Sequence, residues 1–322
     1  MHVEKMMEQN PITAHYHLPG LFEFYEFYKV FLPLWRGHRE YFYDWCNIGS
    51  IYGAPSDCLW GGGRAAVVDD NVAVDDVIAL MKDYGISACL TFSNSLLTEE
   101  HLADKKCNEL CRKFECSGLS VAEPARAGAV NAVNGVIVHS DLLADYLRRT
   151  YPRLYLVSST TKVLTDFAEL EAELKRPEFR YVVPDFRLNK EFDALGALPA
   201  DLKDKVEFLC NECCSFNCRE RAVCYENVSR KNLGLDVADH VCKAPGGRGG
   251  YRFSLAMKNP AFIGVQDIQN TYLPMGFSNF KLEGRGLGSA IVLEFLLYYM
   301  IKPEYQLHVR EAVYLDSMLD LF

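Results

Sequence analysis

The chain has 322 residues, of which 49% are hydrophobic and 24% are charged, and its net charge is −9. This length and composition indicate a globular protein that buries a full core in one large domain or two smaller ones. The acidic balance disfavours nucleic acid as a partner, since such binding relies on clustered Lys and Arg, and no apolar run reaches the roughly 20 residues of a transmembrane helix.

Residues 1–46 are predicted as an N-terminal helical segment. The first ten residues lack the apolar core of a secretory signal, which predicts a cytoplasmic protein with reduced cysteines. Residues 20–35 are rich in Phe, Tyr, Leu and Val, so a helix there needs a cover over much of its circumference. We expect that cover across the bottom of the following barrel or at a dimer interface; a membrane surface is the alternative, which two glutamates disfavour.

Residues 47–302 alternate short apolar runs with helical patterns, which predicts an α/β fold with a parallel sheet covered on both faces. About seven such units indicate a TIM-like (β/α)8 barrel, which can be distorted or incomplete, followed by a C-terminal tail at 303–322. A doubly wound open sheet is the alternative, because periodicity does not show closure. The predicted strands are 48–52, 88–92, 135–138, 154–157, 181–183, 206–209 and 277–282, and the predicted helices are 74–84, 99–114, 141–151, 167–175 and 290–301.

The loop after the first predicted strand contains Gly61, Gly62, Gly63 and Arg64. Three glycines followed by arginine can form a backbone concavity that binds a carboxylate or phosphate, so these residues are candidates for cofactor or ligand binding. A flexible turn is an equally good interpretation. The segment matches neither a Walker loop nor a dinucleotide-binding fingerprint.

Six cysteines follow the predicted strand 206–209: Cys210, Cys213, Cys214, Cys218, Cys224 and Cys242. Cys214 and Cys218 have the spacing of one pair of a structural zinc site, but a second pair is missing. Uneven spacing suits an iron–sulfur cube better, because each iron needs a thiolate from a different direction. Cys210 is predicted to be buried, and adjacent Cys213 and Cys214 are not both expected to bind one centre, which leaves three or four ligands.

A second cysteine group, Cys107, Cys111 and Cys116, lies in the predicted helix 99–114 and just after it. Cys107 and Cys111 would share one helix face. We interpret this group as a packed face, with a metal site as the alternative, because nothing nearby completes a ligand set.

The segment 276–285 predicts a strand followed by three ionised side chains that alternate, Lys281, Glu283 and Arg285. In a barrel this end of the strand faces the active site, so these residues are candidates for catalysis or substrate contact. An internal salt-bridge network is an equal alternative. His139, at the end of another predicted strand, is the best-placed general base.

Two motifs make the sequence recognisable. Asn-Glu-x-Cys-x3-Cys-x2-Arg at 211–221 and Gly-x3-Phe-Lys-x-Glu-Gly-Arg at 276–285 resemble the collagenase-like peptidase family, called U thirty-two. Segments 134–141 and 151–161 support the resemblance, which spans roughly 47–285. It implies a TIM barrel and, for many members, a four-iron, four-sulfur (4Fe–4S) cluster held by cysteines. By position, Cys214 and Cys218 match the family's Cys-x3-Cys, and Cys242 matches a later cysteine of the family. Cys224 is the predicted fourth ligand, and Cys58 is the alternative.

Three functions follow from the motifs and the resemblance. The leading hypothesis is an iron–sulfur oxidoreductase that hydroxylates a small molecule without oxygen and holds a carboxylate with residues 61–64, Lys281 and Arg285. The first alternative is a cysteine- or metal-dependent peptidase, with Cys58 as nucleophile and His139 as base. The second is a non-catalytic cluster-bearing subunit that works in a homo- or heterodimer.

Overall fold

The computed structural model describes residues 13–63, 71–117, 133–243 and 251–319. Eight parallel strands form one sheet in the order β6-β5-β4-β3-β2-β1-β8-β7. A bridge between Val182 and Val206 joins the two outermost strands, so the sheet is a nearly closed TIM-like barrel, as predicted. The strands are β1 Ala14–Pro19, β2 Cys46–Gly53, β3 Ser87–Phe92, β4 Gly135–Val138, β5 Tyr155–Ser158, β6 Phe179–Val182, β7 Glu207–Leu209 and β8 Asn279–Lys281.

Helices connect the strands on the outside of the barrel. They are α1 Tyr25–Gly37, α2 Val74–Tyr84, α3 Lys105–Ser117, α4 Asp141–Thr150, α5 Phe167–Leu174, α6 Phe192–Ala197, α7 Ala200–Lys203, α8 Arg221–Asn232, α9 Phe253–Ala256, α10 Val265–Asp267, α11 Ser289–Met300 and α12 Gln306–Leu319. Helix α11 is buried as predicted. In the part of the chain that the structure covers, no helix has both the length and the apolar character needed to cross a membrane.

Strand β1 corrects the prediction for residues 1–46. It lies inside that segment, yet it is a barrel strand that pairs in parallel with β2 on one side and β8 on the other. Tyr16 and Leu18 join the outer core, whereas His17 is buried among polar groups inside the barrel. The strand escaped prediction because histidines occupy its inward positions and break the apolar run that marks the other strands.

The aromatic helix α1 follows β1 as an ordinary member of the outer ring. It contacts α2 and α12, and its apolar face buries Phe27, Tyr28, Phe31 and Leu32. The Tyr28 hydroxyl donates a hydrogen bond of 2.7 Å to the carbonyl oxygen of Pro19, which ties the helix to the end of β1. The apolar face of this helix is therefore buried within the same chain, on the side of the barrel and not across its bottom.

Candidate functional site

A cavity of about 290 Å³ lies at the carboxyl ends of the barrel strands, where enzymes with this fold carry their active sites. Tyr52, Ile137, Val183 and Leu209 form an apolar inner wall that continues into the small core inside the barrel. Polar lining residues include Gly62, Gly63, Thr91, Ser93, Ser159, Thr160, Thr161, Glu212, Lys281, Glu283 and Arg285.

Lys281 forms part of the floor of the cavity. Its ammonium donates a hydrogen bond of 2.6 Å to Glu207 and lies 3.9 Å from the centre of the Tyr52 ring. Burial opposes ionisation of Glu207, yet His17 and Lys281 hold the pKa of that carboxyl below its ordinary value. Burial lowers the pKa of His17 to about 4, so at neutral pH Lys281 supplies the compensating charge. Lys281 lines the cavity, and it forms an internal salt bridge with Glu207 rather than with Glu283, so the predicted network of Lys281, Glu283 and Arg285 is not the one that forms. Glu207 was missed.

Glu283 lies at the rim, where two loops meet. The Asn211 side chain bonds both backbone groups of Glu283, with distances of 2.8 Å and 3.3 Å, and so joins the end of β7 to the end of β8. Oδ1 accepts from the amide of Glu283 and Nδ2 donates to its carbonyl oxygen. Each of the two motifs therefore supplies one residue, Asn211 or Glu283, to this joint between neighbouring strands.

Three donor side chains converge at this joint. Each of Glu212, Cys213 and Glu283 offers one possible ligand atom, and these three atoms lie within 4.8 Å of one another. Glu283 also accepts a hydrogen bond of 3.1 Å from the Cys213 amide, and Glu212 accepts one of 2.8 Å from the Cys214 amide. Two carboxylates and a thiol could hold a divalent cation. The sequence singled out Glu283 but not Glu212, and it treated Cys213 as a bystander.

Arg285 lines the same rim with its charge already paired. Its Nε donates a hydrogen bond of 2.6 Å to Glu23, which is fully buried before α1. Lys281 and Arg285 are thus each paired internally, but with separate glutamates and not with Glu283, so the predicted network among the three is wrong. Glu23 was missed, because nothing in the sequence connects it to a residue so distant along the chain.

Arg221 anchors the first turn of α8 beneath the cysteine loop. Arg221 is only 2% exposed. Its Nη2 lies 2.8 Å from a Glu212 oxygen, and its Nε lies 3.6 Å from an Asp185 oxygen. Asp185 also binds Arg187 at 2.6 Å, and Arg187 donates a hydrogen bond of 3.0 Å to the Cys218 carbonyl oxygen. The motif contained Arg221, but its burial was not predicted, because an arginine on a polar helix ordinarily faces water.

The four predicted metal ligands Cys214, Cys218, Cys224 and Cys242 are each half-buried, and none of the chain's twelve cysteines forms a disulfide. Cys214 and Cys218 lie in the loop after β7, and Cys224 lies on α8. Glu220 pairs with His240 at 3.5 Å and with Lys243 at 3.1 Å, which holds the segment of Cys242 beside the start of α8.

A single metal ion and an iron–sulfur cluster need different arrangements of ligands. The ligands of one ion must converge, whereas the thiolates of a cube bind separate irons at its corners. Among the described residues, the trio at the joint has three donor atoms within 4.8 Å, and the four cysteines do not.

Cys58 lies elsewhere. It is buried against Cys107 on α3, and contact between these two thiols, with burial, raises the pKa of Cys107. Cys107 and Cys111 form the packed helix face that was predicted, with Cys58 as its partner. This position places Cys58 apart from the cysteine loop and leaves it without the exposure that a nucleophile needs.

The remaining candidates divide between the cavity and its surroundings. Gly62 and Gly63 line the cavity and Gly61 does not, while Arg64 lies outside the described residues. His139 does not line the cavity itself. Its Nδ1 lies 2.9 Å from the hydroxyl of Thr161, which does line the cavity. Burial lowers the pKa of His139, so its ring is neutral at neutral pH.

No family model matches the chain, and no curated protein matches it. Among solved structures, the fold is similar to that of the U32 peptidase Mk0906, with a TM-score of 0.51 and 14% sequence identity. The similarity covers 86% of this chain and 96% of that chain. It establishes the TIM-like barrel and agrees, at the level of fold, with the family that the two motifs resemble.

Proposed function

We propose that this protein is an iron–sulfur oxidoreductase that acts on a small molecule in the cavity at the carboxyl end of the barrel. The observation that carries the proposal is the placement of four half-buried cysteines, Cys214, Cys218, Cys224 and Cys242, in the loop after β7, on α8 and in the segment paired with the start of α8. The same loop and helix contribute Glu212 and Tyr225 to the cavity wall. Soft thiolates without disulfides are the donor set of such clusters.

The reaction that we propose is hydroxylation without molecular oxygen. The substrate would exchange a C–H bond for a C–OH bond and be oxidised by two electrons. An organic donor would exchange a C–OH bond for a C–H bond and be reduced by two electrons, so atoms and electrons balance between the two. When bound, the cluster would supply a Lewis-acidic or electron-transferring iron.

The chain's own residues would prepare the site. Arg221 and Asn211 hold the cysteine loop and the joint between β7 and β8 in place. The apolar inner wall excludes water, and Lys281 places at the floor an ammonium group that is paired with the Glu207 carboxylate. Such a site suits a partly apolar molecule with an oxygen function, such as a carboxylate.

Purification without oxygen, followed by iron, sulfide and zinc analysis and an absorption spectrum, tests the proposal. We expect iron and sulfide in a ratio near one, and single Ser variants of Cys214, Cys218, Cys224 and Cys242 should lower both. Ser variants of exposed Cys116 and of Cys58, packed against Cys107, serve as controls and should keep full iron. A colourless protein with stoichiometric zinc would contradict the proposal.

A metal-dependent peptidase is the second candidate, favoured by the trio of Glu212, Cys213 and Glu283 and by the fold shared with the U32 peptidase. Zinc held by three protein ligands leaves a position for the water that attacks a peptide bond. Gelatin hydrolysis that is lost with a chelator and in Glu283→Gln, but kept in Cys218→Ser, would favour this candidate over the oxidoreductase.

A further inference from the structure

Two hydroxyl groups on β3 and at its end face the cavity without a partner. Thr91 and Ser93 are two residues apart, so their side chains lie on the same face of the strand, the inward one. Their exposures are 6% and 1%, and neither hydroxyl oxygen has a hydrogen-bond partner among the described residues. Both residues line the cavity.

Other hydroxyls of the cavity wall are satisfied by the protein. Thr160 donates a hydrogen bond of 3.1 Å to the Pro184 carbonyl oxygen, and Thr161 donates one of 2.9 Å to Ser159. Burying a hydroxyl without a partner is unfavourable, and a folded chain ordinarily avoids it. Thr91 and Ser93 therefore stand out as donors for an acceptor that none of the described residues provides.

The glycine loop shapes the wall around Ser93. A Cβ atom on Gly62 would lie 2.4 Å from the Ser93 carbonyl group, so the loop packs directly on the end of β3. A Cβ atom on Gly63 would lie 3.4 Å from the Ser93 hydroxyl, and Gly63 has a φ of +82°. The absence of side chains here keeps the space in front of the hydroxyl open to the cavity.

The surroundings define what kind of molecule fits. The ion pair of Lys281 and Glu207 lies near enough to β3 for both charges to act on Cys89, which precedes Thr91 by two positions on the same face. The opposite part of the wall is apolar, with Tyr52, Ile137 and Val183. One side of the cavity therefore offers hydrogen-bond donors near an ion pair, and the other offers contact with hydrocarbon.

We propose that Thr91 and Ser93 donate hydrogen bonds to a carboxylate or carbonyl oxygen of a small ligand whose ring or chain packs against Tyr52, Ile137 and Val183. This inference deepens the proposed function, on which it rests, by assigning the residues that recognise the oxygen group of the substrate.

Benzoate, benzamide and toluene are suitable probes, because they share a ring and differ in the oxygen function. Binding to the anaerobically purified protein is followed by ligand-observed NMR titration, for the wild type, Thr91→Val, Ser93→Ala and the double variant. We expect benzoate and benzamide to bind more tightly than toluene. Each single variant should weaken benzoate and benzamide binding roughly tenfold and leave toluene binding unchanged.

Ser87→Ala is the matched control, because Ser87 lies on the same face at the other end of β3 and its hydroxyl donates to the Val133 carbonyl oxygen at 2.7 Å. It should not change the binding of any probe. Without ligand, Thr91→Val and Ser93→Ala should keep or raise the melting temperature, whereas Ser87→Ala should lower it. The proposal is overturned if benzoate and benzamide do not bind, or if the variants leave their preference over toluene intact.

The two proposals fail separately. If the protein contains no iron but its benzoate binding depends on Thr91 and Ser93, the oxidoreductase proposal fails and the ligand-recognition proposal stands. If iron and sulfide are present but the hydroxyls have no effect on binding, the reverse holds.

Discussion

Lys281 Nζ lies 2.6 Å from Glu207 Oε1 inside the barrel, where the two side chains are 7% and 2% exposed. The two residues come from neighbouring strands, β8 and β7, which pair in parallel. In so dry a place each charge depends on the other, since an isolated buried charge is far more costly than a buried pair.

Glu207→Gln should therefore destabilise the protein by about 3–5 kcal/mol, because it leaves the Lys281 ammonium uncompensated. The double variant Glu207→Leu with Lys281→Met should recover much of this loss. Urea unfolding measures both effects. Glu26→Gln, which breaks the exposed pair with Lys29, is the control and should cost about 0–1 kcal/mol. Equal losses in the single and double variants would argue against a coupled pair.

His17 should make the folded state sensitive to acid. Burial lowers the pKa of His17 from 6.5 to about 4, so between these pH values the unfolded chain takes up a proton that the folded chain refuses. The stability contribution is complete above pH 6.5 and falls by about 3 kcal/mol as the pH drops to 4. Urea unfolding across this range should show a shallower decline for His17→Gln. His38→Gln, at an exposed histidine, should follow the wild type.

Gly62→Ala should disturb the cavity wall. The added Cβ would lie 2.4 Å from the Ser93 carbonyl group, so the loop or the end of β3 must move. We expect a loss of about 1–3 kcal/mol in unfolding free energy and weaker benzoate binding. Gly37→Ala is the matched control, because a Cβ there meets no atom within 4 Å among the described residues. Unchanged stability and binding in Gly62→Ala would show that the loop does not pack as described.

Arg221→Met should loosen the cysteine loop. It removes the cation that lies 2.8 Å from the buried carboxylate of Glu212, at a cost of about 3–5 kcal/mol, while Asp185 keeps its pair with Arg187. Iron content should fall as well, if Cys214 and Cys218 hold a cluster. Arg230→Met, on the same helix but paired with Glu226 at the surface, should change stability by about 0–1 kcal/mol and iron content not at all. Full iron in a folded Arg221→Met protein would separate this arginine from the ligand loop.

The sequence predicted those parts of the fold that depend on local pattern. Seven strands and helices such as α2 Val74–Tyr84 lie where apolar runs and 3.6-residue periodicity placed them, because parallel strands buried on both faces carry unbroken apolar runs. Strand β1 lacks such a run, since His15 and His17 face the barrel interior. The pattern that identifies the other strands is absent there, although the backbone pairing is the same.

The candidate site was predicted less completely, for a related reason. Lys281, Glu283 and Arg285 were found because they alternate at the end of one strand. Their partners Glu207 and Glu23 lie on or after other strands, β7 and β1, and pairing between strands that are distant along the chain leaves no trace in local spacing. Thr91 and Ser93 were missed because Ser and Thr are common in strands and loops alike. Only the folded barrel shows that their hydroxyls lack a hydrogen-bond partner among the described residues.

The pairing of β1 with β8 also constrains how the chain can fold as it is synthesised. His15 pairs with Asn279, so one edge of β1 stays uncovered until β8 has been synthesised. Until then the nascent barrel is an open sheet whose unpaired backbone groups invite pairing with other chains. We therefore expect slow final closure, dominated by contacts between distant parts of the sequence, and the single Val182–Val206 bridge marks the seam that opens first under mild denaturation.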